Sequence, residues 1–218
     1  MDIQMSLEGK NRKVFNYNNE DRRGSNFMYK DFEKCNSYHT NFCDTNFNYA
    51  SLRGAKMKYC NFSGASFVGT EFVGTNLRGS NFCNAHFEDA IFNATVLDNT
   101  IFKNATFQNC YFINTGIGKA KCFPENSSGI IFFSSYPAAE NFSKKLIQIV
   151  ESLRENDIIR RSHTLHLKGG KINTLSLFIL IQSFSEEDLI ARLPKIPNLL
   201  TGQFYTLSYL ERLLKKAE

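Results

Sequence analysis

A five-residue periodicity runs through the middle of this chain and leaves it few ways to fold. Stepping by five from Phe27 to Ile117 visits 19 positions, and every one except Ser37 is Phe, Leu, Met or Ile. Two residues earlier, from Ser25 to Thr115, the same step finds Ala, Ser, Thr or Cys everywhere except Lys30. The whole chain is only 42% hydrophobic, so a phase lock of this length reflects structure rather than composition. A period of five fits neither the helical period of about 3.6 nor the strand period of about 2, and the chain must turn once per repeat. The large residue and the small one two before it then point inward, while the positions between and after them meet solvent. Repeats this short cannot bury a core alone, so they stack into a solenoid.

The pattern is cleanest in Ala65-Ser66-Phe67-Val68-Gly69 and Thr75-Asn76-Leu77-Arg78-Gly79. Here the chain resembles the pentapeptide-repeat family, whose consensus is small, Asp or Asn, Leu or Phe, polar, variable. The resemblance implies an all-β, right-handed quadrilateral β-helix in which four repeats make one square coil. Residues 20 apart should then stack in columns. One column is Phe27, Phe47, Phe67, Phe87 and Phe107; a second is Phe42, Phe62, Phe82 and Phe102; a third is Phe32, Leu52, Phe72, Phe92 and Phe112. The fourth holds Ser37, Met57, Leu77, Leu97 and Ile117, with no aromatic residue. A coil of three or five repeats would scatter those residues. The expected solenoid therefore has about five coils over 25–122, at the ~4.8 Å strand spacing. Its interior is full, leaving no room for a substrate.

The flanks have another character. Residues 1–24 are polar and read as an N-terminal cap or arm, with Val14, Phe15 and Tyr17 as its lid over the open end. The repeat fades through Gly116, Gly118 and Phe123-Pro124 into a connector over 123–137. Residues 138–218 read as a small, mainly α-helical domain. Leu146, Ile149, Val150 and Leu153 share one face of a helix ending near Asn156. Asn173 caps a helix over 174–184, and Ser185 with Glu186, Glu187 and Asp188 opens one ending before Pro194. The stretch 203–216 carries Phe204, Leu207, Leu210 and Leu214 on a last helix. The segment 157–168 fits helix or strand. This C-terminal part resembles no family.

Six cysteines without a CxxC pair read as reduced thiols and point to a cytoplasmic setting. Cys35, Cys60 and Cys110 take the small inward slot; Cys43 and Cys83 follow a core Phe and face outward. The N-terminus has no apolar signal region, and the longest apolar run, 177–181, is too short for a transmembrane segment. Delivery as a leaderless effector would leave no such trace. The net charge is +5, and the repeats hold nine basic against seven acidic residues, which disfavours nucleic acid as a partner. His163 and His166 lack the neighbours of a zinc site. Gly169-Gly170 between two lysines reads as a turn rather than a phosphate loop. No catalytic residue, metal or cofactor is expected.

Two surfaces are candidates for binding. Ile91, Val96, Ile101, Tyr111 and Ile113 are apolar in outward slots and need a cover, either the chain's own helices or a second subunit. The family resemblance implies dimerisation through a C-terminal helix, which puts 203–216 forward for a homodimer. Arg53, Lys56, Lys58, Tyr59 and Arg78, with Tyr38 and His39 near them and Glu71 beside, form a basic, aromatic patch. Such a patch suits phosphate or an acidic protein, or is simply a solvated face. The resemblance also implies two activities: DNA-mimic binding to a type II topoisomerase (gyrase) with quinolone protection, and service as a bacterial effector. Against the first stand the short rod, the slightly basic repeat surface and the lack of a long loop between coils. The sequence thus favours a non-enzymatic scaffold with a protein partner. Topoisomerase binding comes second, and an enzyme with an unrecognised site in the helical domain third.

Overall fold

The computed structural model describes residues 15–124 and 129–217. It divides into a repeat unit within Lys13–Ser135 and a helical unit within Tyr136–Glu218. In the repeat unit, every fifth residue from Asn19 to Asn114 has a positive φ. Each of these left-handed residues lies two after an inward side chain and turns the chain by one corner. Gly, Asn and Asp, which tolerate that region best, fill most corners. Tyr29, Lys34, His39, Tyr49, Tyr59 and Ala94 are the exceptions.

Four corners close one coil, and each coil pairs in parallel with the next at a separation of 20 residues. The ladder begins with Asn16 on Asn36 and Asp21 on Asn41, upstream of Ser25, and runs to Ile101 on Lys121. On one wall β1 (Ser66–Val68), β3 (His86–Glu88) and β5 (Thr106–Gln108) form a three-stranded sheet, with Phe67, Phe87 and Phe107 in register. On the next wall, β2 (Glu71–Val73), β4 (Ile91–Asn93), β6 (Cys110–Ile113) and β7 (Ile130–Phe133) form a four-stranded one. Segments with Asn or Asp before the core residue close an Asx turn instead: Asn26, Asn61 and Asn81 each accept the N–H two residues on.

The Phe rings stack along the coil axis. Phe62 and Phe82 lie 4.8 Å apart at 8°, Phe87 and Phe107 4.7 Å at 6°, and Phe72 and Phe92 4.5 Å at 3°. Phe67 also meets Phe62, Phe82 and Phe72. Its wall therefore lies between the other aromatic walls, across from Met57, Leu77 and Leu97, which are fully buried. The small slots do more than make room. Thr75 Oγ1 donates to the Leu52 carbonyl one coil back at 2.7 Å, Ser80 Oγ to Met57 at 2.8 Å, and Thr70 Oγ1 to Phe47 at 2.9 Å. Cys60 Sγ reaches the Ser37 carbonyl in the same way. Buried hydroxyls and core carbonyls satisfy each other, which a dry interior requires.

Both ends are covered by aromatic side chains. Phe15 lies 4.6 Å from Phe32, and Tyr17 packs on Phe27 and Phe42. Val14 falls outside the described residues. At the other end Phe123 sits on Phe102, Phe107 and Phe112 at 5.3–5.5 Å. Beyond it, in the stretch read as a connector, Gly129 accepts the Cys110 N–H at 2.7 Å and leads into β7. A Cβ on Gly129 would lie 2.5 Å from the Phe107 carbonyl oxygen, so only glycine fits. Residues 125–128 of the connector lie outside the described residues.

In the helical unit Ser143 caps α1 (Lys144–Ser152), which a 3₁₀ turn carries on to Asn156. Asn156 both ends that turn and caps α2 (Asp157–Ser162), so the ambiguous 157–168 starts as helix. It finishes extended, with His166 bridged antiparallel to Ile172 around the Gly169-Gly170 turn. Asn173 caps α3 (Thr174–Leu180), and a capping box of Ser185 and Asp188 opens α4 (Glu186–Arg192). α4 ends before Pro194, as the sequence suggests. A 3₁₀ turn, Leu193–Lys195, leads into α5 (Ile196–Leu199), with Pro194 and Pro197 in first-turn positions that need no N–H partner. The last helix, α6 (Leu207–Lys216), begins later than the expected 203. Thr206 before it is extended, and Phe204 is buried ahead of the helix. Among the described residues no helix is long and apolar enough to cross a membrane.

Candidate binding surfaces

The interior offers no chemistry. Phe47, Phe67, Phe87, Met57, Leu77 and Leu97 are shielded from solvent, Phe27 and Phe107 nearly so, and Ile117 partly. The inward thiols are unreactive because burial penalises the thiolate, pushing Cys35 and Cys110 up to about 12 and Cys60 up to about 11. Cys43 and Cys83 are half-buried on their outward wall, and Cys122 is exposed. His166 is buried in the helical unit, where Nε2 donates to the Val150 carbonyl at 2.8 Å. Burial holds its pKa below the ordinary value. Among the described residues no group of three or more His, Cys, Asp and Glu side chains is placed to hold a metal ion.

Outward side chains stack in columns as the core residues do. After Ser37, Met57, Leu77 and Leu97 come Tyr38, Lys58, Arg78 and Asp98, and at the corner beyond them His39, Tyr59, Gly79 and Asn99. Lys58 Nζ lies 4.9 Å from the Tyr38 ring centroid. His39 and Tyr59 stack at 5.2 Å and 10°. A Cβ on Gly79 would come within 2.5 Å of the Tyr59 ring, so the missing side chain lets that ring lie across the next coil. Lys56 is on the same wall, bridged between Asn36 and Asn76. The structure therefore brings Lys56, Lys58, Tyr59 and Arg78 together. Arg53 is on the neighbouring wall, 3.4 Å from the buried Glu71 carboxylate, which neutralises it. Asp98 pairs with Lys119 at 3.8 Å. Lys56, Lys58 and Arg78 have no carboxylate partner among the described residues.

The five apolar outward residues do not form one patch. Ile91, Tyr111 and Ile113 share the wall of Phe92 and Phe112 and are buried there. Tyr111 also meets the Phe133 ring of β7. Val96 is on the aliphatic wall, 40% exposed, and Ile101 on the wall of Phe102. Phe204, Leu207, Leu210 and Leu214 are buried in the helical unit, where α6 packs on α5.

The sequence pattern described as pentapeptide repeats matches residues 25–64, 45–84, 60–99 and 80–115 in overlapping copies. No curated protein sequence matches the chain. Among solved structures, a pentapeptide repeat protein of the Arabidopsis thaliana thylakoid lumen is similar at 24% identity over 46% of this chain and 67% of that one, with a TM-score of 0.35. A trypsin-treated QnrB1, a plasmid-mediated fluoroquinolone resistance protein, is similar at 12% identity over 54% and 86%, with a TM-score of 0.31. HetL of Nostoc sp. strain PCC 7120, involved in heterocyst differentiation regulation, is similar at 15% identity over 50% and 63%, with a TM-score of 0.31. Residues 25–115, with their five-residue step, left-handed corners and stacked columns, match the pentapeptide-repeat pattern.

Proposed function

We propose that this chain is a non-enzymatic scaffold whose solenoid holds rows of outward side chains for a protein partner. The observation that carries this reading is the aliphatic wall, where Lys56, Lys58 and Arg78 stand on a rigid stack with no carboxylate partner among the described residues. A filled interior and inert inward thiols favour a surface role over catalysis. Fixed spacing lowers the ordering cost of binding, which suits recognition.

QnrB1 is described as a fluoroquinolone resistance protein. For this chain the slightly basic repeat surface opposes the DNA mimicry that topoisomerase binding needs. The full-length chain, immobilised at low density, should retain a defined protein from the extract of its own cells and leave gyrase supercoiling and its quinolone inhibition unchanged. Relief of quinolone inhibition would replace the scaffold reading with topoisomerase binding. Retention of nothing beyond what the Lys56→Glu, Lys58→Glu, Arg78→Glu triple variant retains would remove the aliphatic wall as the binding face.

A further inference from the structure

Tyr59 occupies a corner that disfavours it. Its φ is 57° and that of His39 is 52°, in the left-handed region where bulky residues are rare and strained. The same column holds Asn19, Gly79 and Asn99, the residue types that such a corner prefers. Two aromatic rings in succession have thus been placed against backbone preference, and Tyr59 is left 47% exposed. Beside it Lys58 and Arg78 stand in register one coil apart, roughly 4.8 Å by the strand spacing. That spacing is between their backbones; the Lys58 ammonium lies over the Tyr38 ring one coil back, and neither cation has a carboxylate partner among the described residues.

We propose that this corner binds an acidic segment of a protein partner, its carboxylates on Lys58 and Arg78 and an aromatic side chain against Tyr59. Lys56 extends the cationic wall, while the wall beyond the corner is a neutral row of Asn41, Asn61 and Asn81. Three cations release too few counterions to hold a nucleic acid at physiological salt, whereas they match a short run of carboxylates. The assignment rests on the scaffold reading and names the chemistry its partner must present.

The test uses the full chain and two labelled synthetic peptides, one alternating Glu and Tyr and one alternating Glu and Ala, with fluorescence anisotropy at roughly 50 mM salt. The Glu/Tyr peptide should bind more tightly. Tyr59→Gly should weaken it about 3- to 10-fold toward the Glu/Ala value, as expected for loss of one aromatic contact. Lys58→Glu with Arg78→Glu should abolish binding of both. Because glycine suits the corner, Tyr59→Gly should leave the thermal midpoint unchanged or raised. A lowered midpoint with unchanged peptide affinity would make Tyr59 a structural residue and overturn the proposal. So would equal binding of the two peptides, or tighter binding of a single-stranded DNA oligonucleotide than of either. If the chain retains a protein from extract yet discriminates neither peptide, this assignment fails while the scaffold reading stands.

Discussion

The small inward slot shows how much one residue can do in this fold. Thr75 fills space beside the Phe stack and also satisfies the Leu52 carbonyl in a buried site. Thr75→Val keeps shape and leaves that carbonyl with the Ala55 N–H as its one remaining donor. It should lower stability by about 0.5–1.5 kcal/mol in chemical denaturation, the net worth of one hydrogen bond, and an unchanged midpoint would mean that the hydroxyl serves only as volume. Thr45, Cys60, Thr70 and Ser80 fill equivalent slots, so their smallness was legible in the sequence and their donor role was not. Glu71 was legible beside the patch, but its pairing with Arg53 in particular was not, for a related reason. The two are 18 residues apart, one coil less two positions, and Asn48 with Ser66 and Ser63 with Asn81 meet at that same step. Searching that diagonal would have separated Arg53 from the patch. The inward cysteines give a further residue-scale expectation. In native protein near neutral pH, iodoacetamide should label Cys122 first and leave Cys35, Cys60 and Cys110 unlabelled until unfolding, read by mass spectrometry of the adducts.

Elements were legible where a local signal decides them. The caps at Asn173 and Ser185 start helices where the sequence places them, because a side-chain acceptor on orphan N–H groups acts within one turn. The start of α6 was not legible, since Phe204 and Leu207 are three apart whether or not the helix reaches both. β7 was also hidden: its pairing depends on Gly129 passing close to Phe107, a contact that no periodicity announces. In the extended stretch after α2, His166 has its proton on Nε2, bonded to Val150, and Nδ1 is buried with no partner among the described residues. Protonation of the folded chain would strand that second proton. The folded pKa therefore lies below the reference value of 6.5, through burial first and Arg154 as well, with the Val150 hydrogen bond and Glu151 opposing. Above about 6.5 this group leaves stability untouched. As pH falls below that value the unfolded chain takes up the proton more readily, and stability declines until the folded pKa is passed. His166→Gln keeps a donor for Val150 and should flatten this decline below about pH 6.5, followed by urea midpoints. Parallel declines in both proteins would assign the acid sensitivity elsewhere.

For the whole molecule, the four-walled coil was legible because one wall differs in kind from the rest. Met57, Leu77 and Leu97 recur every 20 residues across from the Phe67 wall, and only a coil of four repeats keeps them together. The binding face was legible in part. Lys56, Lys58, Tyr59 and Arg78 stand together because they share a phase, but the lack of a carboxylate partner for the three cations among the described residues goes with Asp98 turning to Lys119. The helical unit gave its elements and not its role, since its buried residues record packing rather than chemistry. The most direct measurement is site-specific photo-cross-linking of the full chain in its own cell extract. One probe replaces Lys56 on the aliphatic wall; another replaces Gln108, exposed on the wall across the coil. The account predicts a single protein adduct from position 56 and none from position 108; equal adducts from both, or an adduct from position 108 alone, would contradict it.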